Sequence, residues 1–401
     1  MFSQFTFGAL SGYFSILRMI HHIPPNIWNI ETNKFEMNPN PNKIRWAFSN
    51  LNVTIFFGLV PAYMLLFNRE RLTSSQVIFL ALQLIVAVHS VPLFIKAYTD
   101  GFSLCLAMNT YLRLENYLRE NEILAKKYAP LLWYRDPVGL IFNGVATSLL
   151  SFIVSLPILF CIADVDPLYF IMPSIPTNCC STMGYFVTRL SLCLIILAEI
   201  VSNIGLAHLT LIMLTLSAKD CISSVKFYRQ PNPDLGTFSV LRTNLVGRKM
   251  IRTPDKLCEL SNLDLYVVMM VQCRLVRQYT DTASMFIMGP GFVIDVIANY
   301  VVIKLHGKIP LLLYLAIALL AILVPVIIMG VLPQAGKSNT YSINLLQHWR
   351  GSNPTRWRRK KVRSLRPLGF WVGPLFLIKR QTLSILVNVI LDCTANSVLL
   401  S

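Results

Sequence analysis

The chain has 401 residues, of which 54% are hydrophobic and only 14% charged, with 36 Lys and Arg against 19 Asp and Glu for a net charge of +17. A soluble fold carries ~25% charged residues to cover its surface, so the composition argues against a soluble enzyme. The basic excess by itself would suit nucleic acid, but a nucleic-acid-binding protein has no use for this much apolar surface; what remains is an all-α integral membrane protein with basic segments on one side.

A membrane helix needs ~20 mostly apolar residues. Seven stretches qualify: 46–67, 76–96, 138–162, 185–216, 280–303, 310–333 and 376–400. The fourth is longer than a bilayer requires, which predicts tilt or projection beyond it. The first 45 residues lack the basic start and apolar run of a signal peptide. The sequon Asn52-Val-Thr54 falls inside the first span, out of reach of glycosylation.

Orientation rests on the segment before the last span. Seven of the eleven residues from Arg356 to Arg366 are basic, and 334–375 contains no acid. Such a block belongs in the cytoplasm, beside the anionic lipid headgroups of the inner leaflet. Six spans precede it, so the N-terminus is expected in the cytoplasm and the C-terminus outside. Segment 163–184 agrees, with Asp164 and Asp166 and no Lys or Arg. Residues 103–127 and 257–279 repeat apolar positions at helical spacing and predict cytoplasmic helical extensions of the spans. The stretch Tyr228–Gly236, polar and with two prolines, predicts a loop tip. Nine cysteines include no CxxC pair; on the outer side a disulfide from Cys161 to Cys179 or Cys180 stays open.

Motifs of enzymology are missing: there is no GxxxxGK[ST], HExxH or GxSxG, and no cofactor or metal site is expected. His89 and His208 lie in apolar spans and are expected to be hydrogen-bonded packing residues. A seven-helix G-protein-coupled receptor would put its N-terminus outside, and its [DE]RY and NPxxY patterns are absent.

The last span carries the most informative pattern. Ser384, Asn388, Asp392 and Asn396 recur every four residues and share one face. Asp392 at membrane depth costs ~2.5–3.5 kcal/mol even on the mild insertion scale, so it must meet water, an ion or a partner. Copies around an axis would make it a ring favouring cations, with Leu391 and Leu399 near the same face as a gate that closes by dewetting. The alternative is a helix–helix seam held by polar side chains. A second polar set predicts a ligand cavity for a small polar or cationic molecule: Ser151 and Ser155 on span three, Glu199 and Asn203 on span four, Asp295 and Asn299 on span five, and Tyr314 on span six. If Glu199 and Asp295 were coupling groups, the chain would instead be a secondary transporter of a small polar solute.

Seven spans, the long basic inner segments and the run Arg363-Ser-Leu-Arg-Pro-Leu, Gly373-Pro-Leu-Phe-Leu-Ile-Lys-Arg380 and Thr394-Ala-Asn-Ser-Val-Leu-Leu400 resemble the arthropod gustatory and odorant receptor superfamily, in its divergent springtail-type gustatory form. Gustatory receptors have Thr-Tyr where this chain has Thr394-Ala395. The resemblance implies a multi-pass plasma-membrane chemosensory receptor acting as a ligand-gated, non-selective cation channel. It implies a homo- or heterotetramer, with the last helix of each subunit lining the pore at Asn388, Asp392 and Asn396. The inner ends of spans four to seven would form a cytoplasmic anchor, and a cavity among spans two to six would take a tastant or odorant.

Overall fold

The computed structural model describes residues 4–19, 26–29, 32, 34–37, 42–120, 137–162, 164–171, 179–227, 262–351 and 356–400. The predicted loop tip Tyr228–Gly236 lies outside them. The chain opens with helix α1 (Gln4–Met19) and a hairpin of β1 (Asn26–Asn29) and β2 (Lys34–Met37), neither foreseen from the search for spans. Helix α1 forms because Leu10, Tyr13, Phe14 and Leu17 fall at i, i+3, i+4 and i+7 and bury one face. Trp28 and Phe35 face each other across the hairpin with ring centroids 5.0 Å apart.

The first span is α2 (Asn42–Val53), a π-helical stretch (Thr54–Leu59) and α3 (Val60–Phe67) in one continuous rod. Helix α4 (Ser74–Thr99) is the second span, started by a capping box between Thr73 and Gln76, and α5 (Gly101–Glu120) continues past it. Span three is α6 (Pro137–Ile162), followed by the short α7 (Pro167–Ile171); span four is α8 (Cys179–Phe227). Helix α9 (Asn262–Leu275) leads into span five, α10 (Arg277–Lys304), and span six is α11 (Leu311–Gly351). Helix α12 (Arg356–Ser364) and a hairpin of β3 (Trp371–Val372) and β4 (Phe376–Leu377) precede the last span, α13 (Thr382–Leu399). Seven helices among the described residues are long and apolar enough to cross a membrane, and they coincide with the seven predicted stretches.

Helix ends differ from the sequence reading at several places, two of them with a visible cause. The last helix starts at Thr382 rather than 376, because Trp371–Val372 pairs with Phe376–Leu377 through a turn at Gly373. Gly373 has φ +52° and a Cβ there would come within 2.9 Å of Met285 Sδ, so a side chain here would be both strained and crowded. Residues 334–351, beyond the predicted end of the sixth span, continue α11. Ala335, Ser338, Asn339, Ser342, Leu345 and Leu346 bury one face of this extension, and the polar members of that face disguised it. At 1.5 Å per residue α8 is about 74 Å long and α11 about 62 Å, twice a hydrocarbon core of ~30 Å.

These extensions gather with α5, α9 and α12 at the basic end of the bundle. There Tyr266 donates to the Arg366 carbonyl at 2.8 Å, so the Ser342 hydroxyl, 2.6 Å away, donates to Tyr266 while accepting from the Leu368 N–H at 2.7 Å. Burial pushes the Tyr266 phenol up to about 12. Lys361 pairs with Asp264 at 2.6 Å and ties α12 to α9.

At the α1 seam, the Tyr13 hydroxyl donates to the Val201 carbonyl of α8 at 3.0 Å. A Cβ on Gly205 would lie 2.0 Å from that hydroxyl. Gly205→Ala is therefore expected to push α1 off α8 and cost ~1–3 kcal/mol, read as a lower thermal midpoint of the purified protein. Cys161 is a free, buried thiol beside Cys193 and is not disulfide-bonded; it looks into the α6–α8 seam. The side chains of Cys179 and Cys180 lie outside the described set.

Candidate functional site

Spans one to six surround a cavity of about 180 Å³. A cavity of ~150 Å³ already accepts benzene. Phe57 reaches it from the π-helical stretch, Phe79 and Leu82 from α4, Phe152 and Phe160 from α6. Ile200 and Ile204 line it from α8, Ile287 and Ile294 from α10, Leu313 and Ile317 from α11. Its polar lining residues are Gln83, His89 and His208. Gly291, which follows the helix-interior Pro290, is buried on this wall, and a Cβ on it would meet nothing within 4 Å. Its missing side chain is thus part of the open volume.

None of the seven residues expected to bind ligand lines this cavity. Ser151 and Ser155 are exposed on α6 and donate to their own helix, to the Ser148 and Ser151 carbonyls at 2.8 and 2.9 Å. Glu199 and Asn203 are buried in the seam of α2, α4 and α8. Asn50 donates to Glu199 Oε1 at 2.7 Å, and Asn203 donates to Asn50 Oδ1 at 2.8 Å and to Ser90 at 3.3 Å. Asp295 is 1% exposed, and neither carboxylate oxygen has a partner among the described residues; it lies on α10 beside the wall formed by Gly291 and Ile294. Asn299 is half-buried one turn further on. Tyr314, also half-buried, donates to the Val302 carbonyl at 3.4 Å. The reason is general: inside an apolar bundle most polar side chains satisfy one another or their own backbone. What they leave as cavity wall is alkyl and aromatic.

Of the polar residues that do reach the wall, His89 and His208 were legible only as histidines in apolar spans, and Gln83 was not singled out. His208 Nδ1 lies 2.7 Å from the Ile204 carbonyl, as a packing histidine should. His89 departs from that expectation, since its Nε2 is buried without a partner among the described residues. The Gln83 side chain donates to the Val165 carbonyl at 2.7 Å and so joins the cavity wall to the segment between α6 and α7. That segment is held by Arg189 of α8, whose Nε donates to Asp166 Oδ2 at 2.8 Å and whose Nη2 donates to Asp164 Oδ1 at 2.8 Å and to the Cys161 carbonyl at 3.1 Å. The guanidinium also lies 5.3 Å from the ring centres of Tyr169 and Tyr185.

The last helix is the second feature. Helix α13 packs on α10 and α11 yet buries only Ile390 and Thr394. Ser384, Asn388, Asp392 and Asn396 are all exposed on the protomer, as are Leu391 at 61% and Leu399 at 81%. A polar seam within one chain would bury this row, and the described residues offer it no such neighbour.

No family model matches this sequence, and no curated protein matches it. The fold has relatives among solved structures. The insect olfactory receptor OR5 of Machilis hrabei in complex with eugenol superposes with a TM-score of 0.59 at 14% identity, covering 98% of both chains. The structure of the same receptor described without eugenol superposes with a TM-score of 0.55 at 12% identity, again over 98% of both chains. This chain has the seven-helix fold of that receptor over essentially its whole length.

Proposed function

We propose, taking the olfactory-receptor fold as premise, that this chain is a chemosensory receptor of the arthropod superfamily that works as a ligand-gated cation channel in the plasma membrane. The observation that carries the reading is the exposed row on α13. In one protomer an aspartate at membrane depth stands outside the packed bundle, and a lipid surface cannot accept it cheaply. Four copies around an axis would turn Ser384, Asn388, Asp392 and Asn396 toward shared water, as the resemblance implies, with Leu391 and Leu399 as the gate. The long ends of α8 and α11, with α9 and α12, are the proposed anchor holding the copies together.

The ligand is a small tastant or odorant, and its proposed site is the apolar cavity rather than the seven polar residues. The Machilis receptor, by its own description, forms a complex with eugenol. Anionic inner-leaflet lipids are proposed partners for the exposed Lys337, Lys379 and Arg380. The basic α12 stands further off, because the eighteen residues of α11 beyond 333 carry it about 27 Å along the helix.

Asp392→Asn tests the pore. Whole-cell recording in a heterologous cell is expected to show ligand-evoked current with weakened cation-over-anion selectivity and weaker divalent block. Currents with unchanged selectivity and block would remove Asp392 from the permeation path. Saturable uptake without unitary currents would favour a carrier, although Glu199, one of its two expected coupling groups, is already engaged by Asn50.

A further inference from the structure

Apart from Gln83, whose amide donates to the Val165 carbonyl, the two histidines are the part of the cavity wall that its apolar character does not explain. His89 lies on α4 and His208 on α8, with ring centroids 5.6 Å apart. The His208 Nδ1 contact is to a carbonyl oxygen, at 2.7 Å. A carbonyl only accepts, so Nδ1 carries a proton, and in the neutral ring Nε2 is then a bare acceptor. The tautomer is thus set by a backbone bond within α8. His89 adds a second imidazole, one whose Nε2 is buried with no partner among the described residues. Two helices therefore bring an acceptor and an unengaged imidazole together in a wall of leucine, isoleucine and phenylalanine.

We infer that this pair clasps the hydroxyl group of an uncharged, otherwise apolar ligand, which donates to His208 Nε2 and accepts from the N–H of His89. The inference rests on the cavity being the ligand site. A ring separation of 5.6 Å lets one oxygen stand ~2.8 Å from a nitrogen of each ring. An alcohol or phenol can satisfy both rings at once. An ether or ketone only accepts and leaves His208 Nε2 unmet; a hydrocarbon satisfies neither. A cationic amine would have to shed its water in a wall that holds no acid, since Glu199 and Asp295 lie off it. Size is a second filter, because the volume of about 180 Å³ suits a single ring or a short chain rather than a sugar.

The test is direct binding to the purified full-length chain in detergent, read as thermal stabilisation by 2-phenylethanol, its methyl ether and ethylbenzene. These share one skeleton and differ at the polar group. The alcohol is expected to bind roughly tenfold more tightly than the other two, the size of effect that two neutral hydrogen bonds give after desolvation. In His89→Phe and His208→Phe the three affinities should converge, while His208→Gln, which keeps an acceptor, should retain part of the preference. Equal binding of all three probes to the native chain overturns the clasp, and means that the rings are satisfied by something other than ligand, such as a trapped water. So does an alcohol preference that survives in both Phe variants. The outcomes also separate the clasp from the site beneath it. Equal binding that is lost in Gly291→Leu keeps the cavity as ligand site and sinks the clasp alone. No binding by any probe sinks both.

Discussion

Gly291→Leu is expected to shift ligand-evoked responses to about 10- to 100-fold higher ligand concentration while leaving the folded protein at least as stable. The glycine sits on the buried wall of the cavity with free space where a side chain would be. A leucine there adds four carbons to a volume of about 180 Å³ and occupies the space that a ligand needs. For the empty protein the change is favourable on two counts. A glycine in a helix interior costs ~1 kcal/mol against a good helix former, and filling apolar space restores contacts that the cavity had forfeited. For the liganded protein it is overpacking, which costs ~1–3 kcal/mol, or a loss of affinity by a factor of about 10 to 100. The two effects have opposite signs, so thermal unfolding and dose–response curves on the same variant read them separately. A variant that is stable and responds at the native ligand concentration would show that this cavity is not where ligand acts.

Arg189→Leu is expected to have the largest effect on stability. Its partner Asp166 is 0% exposed, while Arg189 itself is 8% exposed, so this is a buried pair rather than a surface one. Removing the cation leaves a buried carboxylate without its counter-charge, and such a break costs ~3–5 kcal/mol. The damage should be local at first. Arg189 holds the carbonyl of Cys161 and the carboxylates of Asp164 and Asp166, and Gln83 of the cavity wall hangs on Val165 between them. Loss of the clamp is therefore expected to loosen that end of the cavity, lowering the thermal midpoint and weakening ligand binding together. Combining it with Asp166→Leu should recover part of the midpoint, because an apolar pair of similar volume is often as stable as a buried ion pair. Recovery will be incomplete, since Asp166 also accepts the Tyr169 N–H at the start of α7, at 3.1 Å. An unfolding free energy within about 1 kcal/mol of the native value for Arg189→Leu alone would mean that water reaches Asp166 and the pair is not sealed.

How far the sequence could be read differs by element. The spans were legible because a membrane helix must be apolar over its whole length, and no tertiary contact can substitute for that. The row on α13 was legible for the same reason inverted, because polar residues four apart in such a helix stand out. Helix α1 was hidden because its apolar face, Leu10 to Leu17, is only two turns long and looks ordinary outside a span. The end of α11 was hidden because its buried face is made partly of Ser338, Asn339 and Ser342, which read as loop until α8 and the Leu368 backbone supply their partners.

The polar residues expected to bind ligand lie off the cavity for a physical reason. Polar residues were expected to line a cavity, but Glu199 and Asn203 bond with Asn50, Ser151 and Ser155 bond their own helix, and Asp295 is buried beside the wall without a partner among the described residues. By itself, the sequence determined that the chain spans a membrane seven times, that its basic charge collects at one end, and that its last helix carries an aspartate on a polar face. Hydropathy and helical period are properties of single segments, and they need no neighbour. Only the tertiary structure decided which faces meet. It placed Glu199 and Asn203 in a seam, left an apolar volume beside Gly291, and brought His89 and His208 together across 119 residues of sequence. Those outcomes depend on how six helices pack, and no single segment contains that information.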